Sequence, residues 1–434
     1  MVWRIPIRRI LIIVALVIAG EMVFGLPFHT GRFFRPTLLD VFGFTNTQLG
    51  DLFAVYGITA MLTYFPGGAL ADHFSARKLI SLSLAATGAG GLYMVTIPGA
   101  AQMAVLYGFW GVTTIFLFWG ALIRSTRELG GESSQGVAFG ILESGRGFAA
   151  AVFAALAVFV FASIMPDDVA AATDEERRAG FRAVIYLYSL ISVVAAVFVW
   201  FVIPEPENEI VVVKRNPIKN MLKVVGRPIL WAQALIIVCA YCFYKGAENW
   251  SLYAVQVLGM NELDAAKLTA TGAYVRPVAA LAAGIIADHL DATRSIGAGF
   301  VLLLITSLVL TVITPDMVGL PVIIANMFAS LFGVFALRGI YFALLEETRT
   351  PRHMTGAAVG MVSVIGFTPE IFFSPIAGRI LDATPGVGGH LNLFKLLAAI
   401  ALTGIIVVVW LLWLKRNNSW REPVSSGKQS ADAG

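Results

Sequence analysis

Stretches of about 20 apolar residues follow one another along the whole chain, a pattern that fits a bundle of membrane-spanning helices. In hydrocarbon every backbone N–H and C=O must be satisfied inside the protein, and a helix does this within each segment. Read by length, the spans fall at 10–34, 48–71, 78–97, 101–123, 135–163, 181–203, 229–257, 264–287, 295–314, 319–345, 355–381 and 391–415. Charged residues are only 13% of the chain and mean hydropathy is +0.80, against about 25% charged residues in a soluble domain. The first stretch runs past Glu21 with no small-residue cleavage site and reads as helix one.

The two halves of this series are related. The segment Gly68-Ala-Leu70-Ala71-Asp72-His73-Phe-Ser75-Ala76-Arg77-Lys78 returns 216 positions later as Gly284-Ile-Ile-Ala-Asp288-His289-Leu-Asp291-Ala292-Thr-Arg294. The same shift carries Gly43 onto Gly259 and His29 onto Lys245. Gly136-x-Ala138-x-Gly140 in helix five likewise matches Gly356-x-Ala358-x-Gly360 in helix eleven. Paired halves in so apolar a chain imply a secondary transporter of repeated helical bundles. The expected parts are a six-helix bundle at 1–203, a linker at 204–228, a second bundle at 229–416 and a polar, disordered tail at 417–434.

Most of the 31 Lys and Arg residues fall in the N-terminal arm, the even-numbered loops, the linker and the tail. The positive-inside rule then places both termini in the cytoplasm of a bacterial inner membrane. The net charge of +4 is a topology signal, and no basic patch interleaved with aromatics points to nucleic acid. The lipid bilayer is the expected surrounding, and the chain is read as a monomer. Cys239 and Cys242 both lie inside helix seven, which excludes a disulfide framework and a structural metal site. No phosphate loop, Ser-His-Asp spacing or zinc-ligand cluster appears, so neither an enzyme nor a cofactor is expected.

The segment at 68–78 resembles the loop signature of the major facilitator superfamily, Gly-x-Leu-Ala-Asp-Arg-x-Gly-Arg-Arg/Lys. Gly43-Phe44-Thr45-x-x-Gln48-Leu49-Gly50 resembles that superfamily's start of helix two. The resemblance implies an all-α membrane protein with twelve helices in two pseudosymmetric six-helix bundles. It also implies gating by Gly68, Asp72, Arg77, Lys78, Gly284, Asp288 and Arg294. Gly68 is expected to let helix two approach a neighbour closely. Asp72 is expected to pair with basic residues of the next helix and so shut the cytoplasmic end. His73, Ser75 and Ala76 depart from the family pattern, weakening that latch or making it pH-sensitive.

Charges at mid-membrane are costly and usually face a cavity. They are Glu21, His29 and Arg32 in helix one, Glu143 and Arg146 in helix five, and Lys245 and Glu248 in helix seven. Arg276, Arg338 and Glu370 follow in helices eight, ten and eleven. The 216 offset puts His29 and Lys245 at one pseudosymmetric depth, where two facing cations would repel unless an anion sat between them. Local pairing of His29 with Glu21 and of Lys245 with Glu248 is the alternative. Glu143 and Arg146 share a helix face, either as a structural pair or with substrate competing for Arg146. Pro369 can hinge helix eleven beside Glu370. Glu21, Glu143, Glu248 and Glu370 are the proton-coupling candidates.

Tyr244-Lys245-Gly246-x-Glu248-Asn249-Trp250-Ser251 is similar to the seventh-helix pattern Arg-Tyr-Gly-x-x-Asp-Trp-Ser of the organophosphate–phosphate antiporters. That resemblance implies anion contacts at His29, Arg146 and Tyr244, with Lys245 next in sequence. Lysine and histidine lack the guanidinium fork that grips phosphate, so it implies an organic anion without fixing a phosphate ester. The expected substrate site is His29, Arg146, Lys245, Tyr244, Trp250 and Arg338, carrying a small anion with protons or a counter-anion. Efflux of amphipathic or cationic compounds is the first alternative, and a transporter-like sensor or assembly protein the second.

Overall fold

The computed structural model describes residues 7–130, 135–205, 225–313, 315–347 and 355–417, and these are almost entirely helical. The expected linker, apart from its ends, and the expected tail lie outside the described residues. Among the described residues nine helices are long and apolar enough to cross a membrane, and eleven if each of two bent pairs is one span. Ala76–Met94 is the remaining span, its hydropathy lowered mainly by Arg77 and Lys78 in its first turn. The fold is therefore all-α, with twelve spans in two six-helix bundles.

Helix one runs from Ile7–Met22 through a bend of 42° into Gly25–Phe33. Helix two is Asn46–His73, helix three Ala76–Met94, helix four Ala100–Gly130, helix five Gln135–Ala162 and helix six Asp174–Val202. Helix seven is Pro228–Gln256, followed by Glu262–Ala287 for helix eight, Ala292–Val312 for nine, Leu320–Ala343 for ten, Ala358–Ala383 for eleven and Val387–Arg416 for twelve. Most buried apolar side chains of 229–414 form one core and those of the first half form two more, one of which takes in Ala266 and Ala270 of helix eight.

The repeat is a repeat of punctuation. Gly43 and Gly259 both turn the chain at positive φ, +64° and +67°, where a side chain would be strained. Two residues on, Thr45 and Asn261 accept from the backbone N–H of Gln48 and Asp264, capping helices two and eight. Ser75 and Asp291 cap helices three and nine in the same way, accepting from Lys78 and Arg294. All five pairs, donors included, keep the 216 offset.

The bundles meet tightly at the end opposite the termini. The carboxylate of Asp382, at the end of helix eleven, accepts from the backbone N–H groups of Asn46 and Thr47 at 3.2 and 2.7 Å and from Asn46 Nδ2 at 3.0 Å. It therefore satisfies the free donors of helix two from across the bundle interface. Arg379 pairs with Asp51 at 2.8 Å, and Arg177 of helix six pairs with Glu262 of helix eight at 3.2 Å. Glycines allow the approach: a β-carbon would lie 2.4 Å from the Ser374 carbonyl oxygen at Gly50, and 2.3 Å from the Asn46 oxygen at Gly378.

Candidate functional site

Where the bundles meet, several of the helices around the intramembrane charges break their regular winding. Helix one has a π-helical turn at Gly25–His29 and helix four another at Val112–Trp119. Helices seven and ten carry 3₁₀ turns at Ala247–Asn249 and Tyr341–Ala343. Such irregular turns gather at functional sites because they redirect side chains and free backbone groups. Here they flank two charge networks.

The first network is a ring of two carboxylates and two guanidiniums from three helices. Glu21 meets Arg146 Nε at 3.3 Å and Arg276 Nη1 at 3.2 Å. Glu143 meets Arg146 Nη1 at 2.5 Å and Arg276 Nη2 at 3.4 Å. Glu21 closes the ring from inside at 3% exposure, whereas Glu143 is half exposed. A mid-helix carboxylate so exposed faces water within the bundle. His29, fully enclosed, contacts the other side of Glu21 at 3.3 Å. Phe24 and Trp119 flank the Arg146 guanidinium, each at 5.8 Å.

The second network joins helices one, seven and eleven. Lys245 meets Glu248 at 2.8 Å and Glu370 at 3.0 Å, with the rings of Phe28 and Phe53 about its ammonium at 4.5 and 4.6 Å. Arg32 reaches Glu248 at 3.2 Å and the Tyr244 hydroxyl at 2.7 Å. Tyr241 donates to Glu370 at 2.6 Å. Arg338 of helix ten stands apart. Its guanidinium lies 3.8 Å over the Tyr244 ring, and its Nη1 is buried with no hydrogen-bond partner among the described residues.

The structure thus brings Arg146, Tyr244, Arg338 and all four glutamates into the centre. It does not set His29 against Lys245. No hydrogen bond or ion pair joins those two, because Glu21 takes the histidine while Glu248 and Glu370 take the lysine. Local pairing, the alternative read from the sequence, is the arrangement present. Adjacent helical positions point about 100° apart, so Tyr244 turns toward Arg32 and Arg338 while Lys245 is sealed at 0% exposure. Trp250 belongs to the core of the second half, packed on Tyr253 and Phe394 at 5.6 Å from each. Arg276, absent from the expected substrate site, proves central. Its signal was already legible, an arginine inside an apolar helix.

Among the gating residues, Asp72 is exposed and makes no ion pair among the described residues. Arg77 and Lys78 pair instead with Glu205 at the end of helix six, Lys78 at 2.8 Å, and Arg77 stacks 4.8 Å over Trp200. The Lys78 ammonium holds the Glu205 carboxyl below the usual carboxylate range. Arg294 folds back on Asp291 at 3.3 Å. The Asp288 side chain lies outside the described ones. A β-carbon on Gly68 or Gly284 would meet nothing within 4 Å. Close packing falls one residue earlier, where a β-carbon on Gly67 would lie 2.9 Å from the Phe116 backbone.

Comparison with known proteins agrees with this architecture. Residues 10–374 match the Major Facilitator Superfamily. Two Escherichia coli inner membrane proteins are each 28% identical: YqcE over 94% of this chain and 95% of its own, and YihN over 92% and 94%. The probable nitrate/nitrite antiporter NarK1 of Thermus thermophilus is 25% identical over 62% of this chain and 59% of its own. Among solved structures, a bacterial homologue of the human lysosomal transporter Spinster, inward-facing and unoccupied, superposes with a TM-score of 0.74 at 13% identity. That match covers 96% of this chain and all of the other. The nucleoside transporter NupG gives 0.74 at 10% identity, covering 93% and 99%. The chain belongs to the major facilitator superfamily, and it is a multi-pass membrane transporter, not an enzyme.

Proposed function

We propose that this transporter carries a small organic anion by alternating access, as a proton symporter or an anion exchanger. The observation that carries the reading is Arg338. Arg32, Arg146, Lys245 and Arg276 share four glutamates, and Arg338 is a fifth cation without a carboxylate within ion-pair reach among the described residues. An unpaired charge at this depth is costly unless a ligand or water supplies the missing partner. An anion does so and a cation does not, which disfavours the efflux reading. The relative NarK1, by its name, exchanges nitrate and nitrite, both anions.

In this reading Arg146 and Tyr244 touch the substrate and Arg338 takes up the negative charge it brings, with His29 and Lys245 behind them as the buried layer that fixes Glu21, Glu248 and Glu370. With the termini in the cytoplasm of a bacterial inner membrane, the end sealed by Asp382, Arg379 and Arg177 is the outer one. An Asp72 without an ion pair is then the expected state of a released cytoplasmic latch, which Gly68, Asp72, Arg77, Lys78 and their mates Gly284, Asp288 and Arg294 would re-form on inward closure.

The test is uptake into proteoliposomes of nitrate, lactate, gluconate and glycerol 3-phosphate against ethidium and tetraphenylphosphonium. Arg338→Gln is expected to weaken binding of the transported anion by about 1.5–3 kcal/mol, the worth of a hydrogen bond to a charged group, or about ten- to hundredfold. Preference for the cations, or an unchanged Arg338→Gln, overturns the reading.

A further inference from the structure

Glu143 holds an unusual place in the first network. Arg146 and Arg276 are built in: a β-carbon on Gly20 would lie 3.1 Å from Arg146 Cδ, and one on Gly147 would lie 3.1 Å from Arg276 Cγ. Each guanidinium spends one nitrogen on the enclosed Glu21 and presents another toward the cavity. Those two cavity-side nitrogens, Arg146 Nη1 and Arg276 Nη2, both point at the Glu143 carboxylate. Two donors converging on one half-exposed carboxylate form a fork for any carboxylate or sulfonate that comes from the cavity.

We propose that Glu143 is a tethered competitor for the acid group of the substrate, and that the substrate is a monoanion. This rests on the reading of the chain as an organic-anion transporter. The incoming acid group takes Arg146 Nη1 and Arg276 Nη2, and Glu143 moves to Arg338. Glu143 and Arg338 are near enough for their charges to interact, and Arg338 Nη1 has no other partner among the described residues.

The charge count closes on one negative charge. With His29 neutral, the five cations Arg32, Arg146, Lys245, Arg276 and Arg338 stand against Glu21, Glu143, Glu248 and Glu370. One monoanion balances the excess over these two networks and Arg338; Arg35, also buried, is held outside them by the Asn46 side chain, which in turn bonds Asp382. A proton on Glu143 would release the same fork, so the groups that decide its charge are those facing it. They are Arg146 on its own helix, Arg276 on helix eight, Arg338 on helix ten and Glu21 on helix one.

Two measurements on the full chain test this. First, Glu143→Cys is made in a background with Cys239→Ala and Cys242→Ala. It is labelled in detergent with a sulfonate-bearing and a trimethylammonium-bearing methanethiosulfonate. Rates are normalised to a cysteine at exposed Asp40. The vacated fork is expected to favour the sulfonate reagent by about tenfold, on the order of one charge-assisted hydrogen bond. A normalised ratio of one, or no labelling, overturns the proposal. Second, Glu143→Gln is expected to bind nitrate or lactate about tenfold more tightly than the unmodified chain. Equal or weaker binding by a folded Glu143→Gln overturns it. Sulfonate-selective labelling in a chain that transports none of the tested anions keeps the competitor and sinks the transport reading. Anion transport with unselective labelling does the reverse.

Discussion

Replacing Gly50 by alanine should open the sealed end. The new methyl carbon would lie 2.4 Å from the Ser374 carbonyl oxygen and 3.0 Å from Pro375 Cα, both backbone atoms that no rotamer change can move. Ordinary contact begins near 3.4 Å, so helices two and eleven must part by about 1 Å. Overpacking of this kind costs about 1–3 kcal/mol. The cost falls only on the sealed conformation, because the contact vanishes when the helices separate, so it appears as a population shift. At about 1.4 kcal/mol per tenfold, the equilibrium moves about five- to 150-fold toward the conformation open at that end. Spin labels at Asp40 and Val387, one on each bundle at the sealed end, give the distance distribution that reads this. Gly50→Ala should add or enlarge a longer-distance population. Gly68→Ala, whose β-carbon would meet nothing within 4 Å, should leave the distribution unchanged. Identical distributions for the two variants would refute the steric argument.

Glu21→Gln should be the most damaging charge substitution in the first network. It leaves the guanidiniums of Arg146 and Arg276 with only Glu143, at an expected cost of about 3–5 kcal/mol. Glu143→Gln should cost less because water reaches that position, and equal melting shifts for the two variants would count against the distinction. The Glu205 pairing should fail in acid. Its carboxyl is held below the ordinary glutamate value of 4.5 by Lys78, so the stabilisation is complete above that value and is lost as pH falls through the lowered one. Melting temperature followed from pH 6 to pH 3 should fall less steeply on the acid side in Glu205→Gln, and superimposable profiles would remove the pair's role.

Helix positions were legible because their causes are local, and the caps, though not read, carry an equally local signal. Apolar length marks a span, and a Gly-x-Thr or Gly-x-Asn step before a polar i+3 partner marks where one starts. Helix five was read at 135–163 and is Gln135–Ala162. The π turns at Gly25–His29 and Val112–Trp119 were not read from the sequence; Pro27, which has no N–H for the helix ladder, was a signal for the first, and the second carries no such residue. The seal at the end opposite the termini was also missed. Asp382 looks like an ordinary residue at a helix end, and only the packing of helix eleven on helix two brings it to the N–H groups of Asn46 and Thr47. The intramembrane charges were all visible, and so were the local pairs His29–Glu21, Glu143–Arg146 and Lys245–Glu248, but the distant partners were not. Lys245 and Glu370 are 125 residues apart and Glu21 and Arg276 are 255 apart, so topology alone pairs them.

The repeat offset explains why His29 and Lys245 are not face to face. Two positions related by a two-fold axis touch only where the axis passes between them. Arg32 and Glu248 are 216 residues apart, the offset of the repeat, and they form an ion pair at 3.2 Å. The pseudo-axis therefore runs through that pair. At such a point two identical charged residues would repel, so halves that keep charge there must differ in sign. His29 and Lys245 sit one turn away from their mates on the axis, and each takes carboxylates from its own surroundings. The same break in symmetry fixes Tyr244. Arg32 has no arginine opposite it, so its guanidinium is free to hold the Tyr244 hydroxyl as well as Glu248, and the ring it steadies is the one over which Arg338 lies. The cation that remains unpaired at the centre is thus positioned by a charge reversal on the axis. Arg32→Gln should therefore loosen the Arg338 site without touching Arg338 itself.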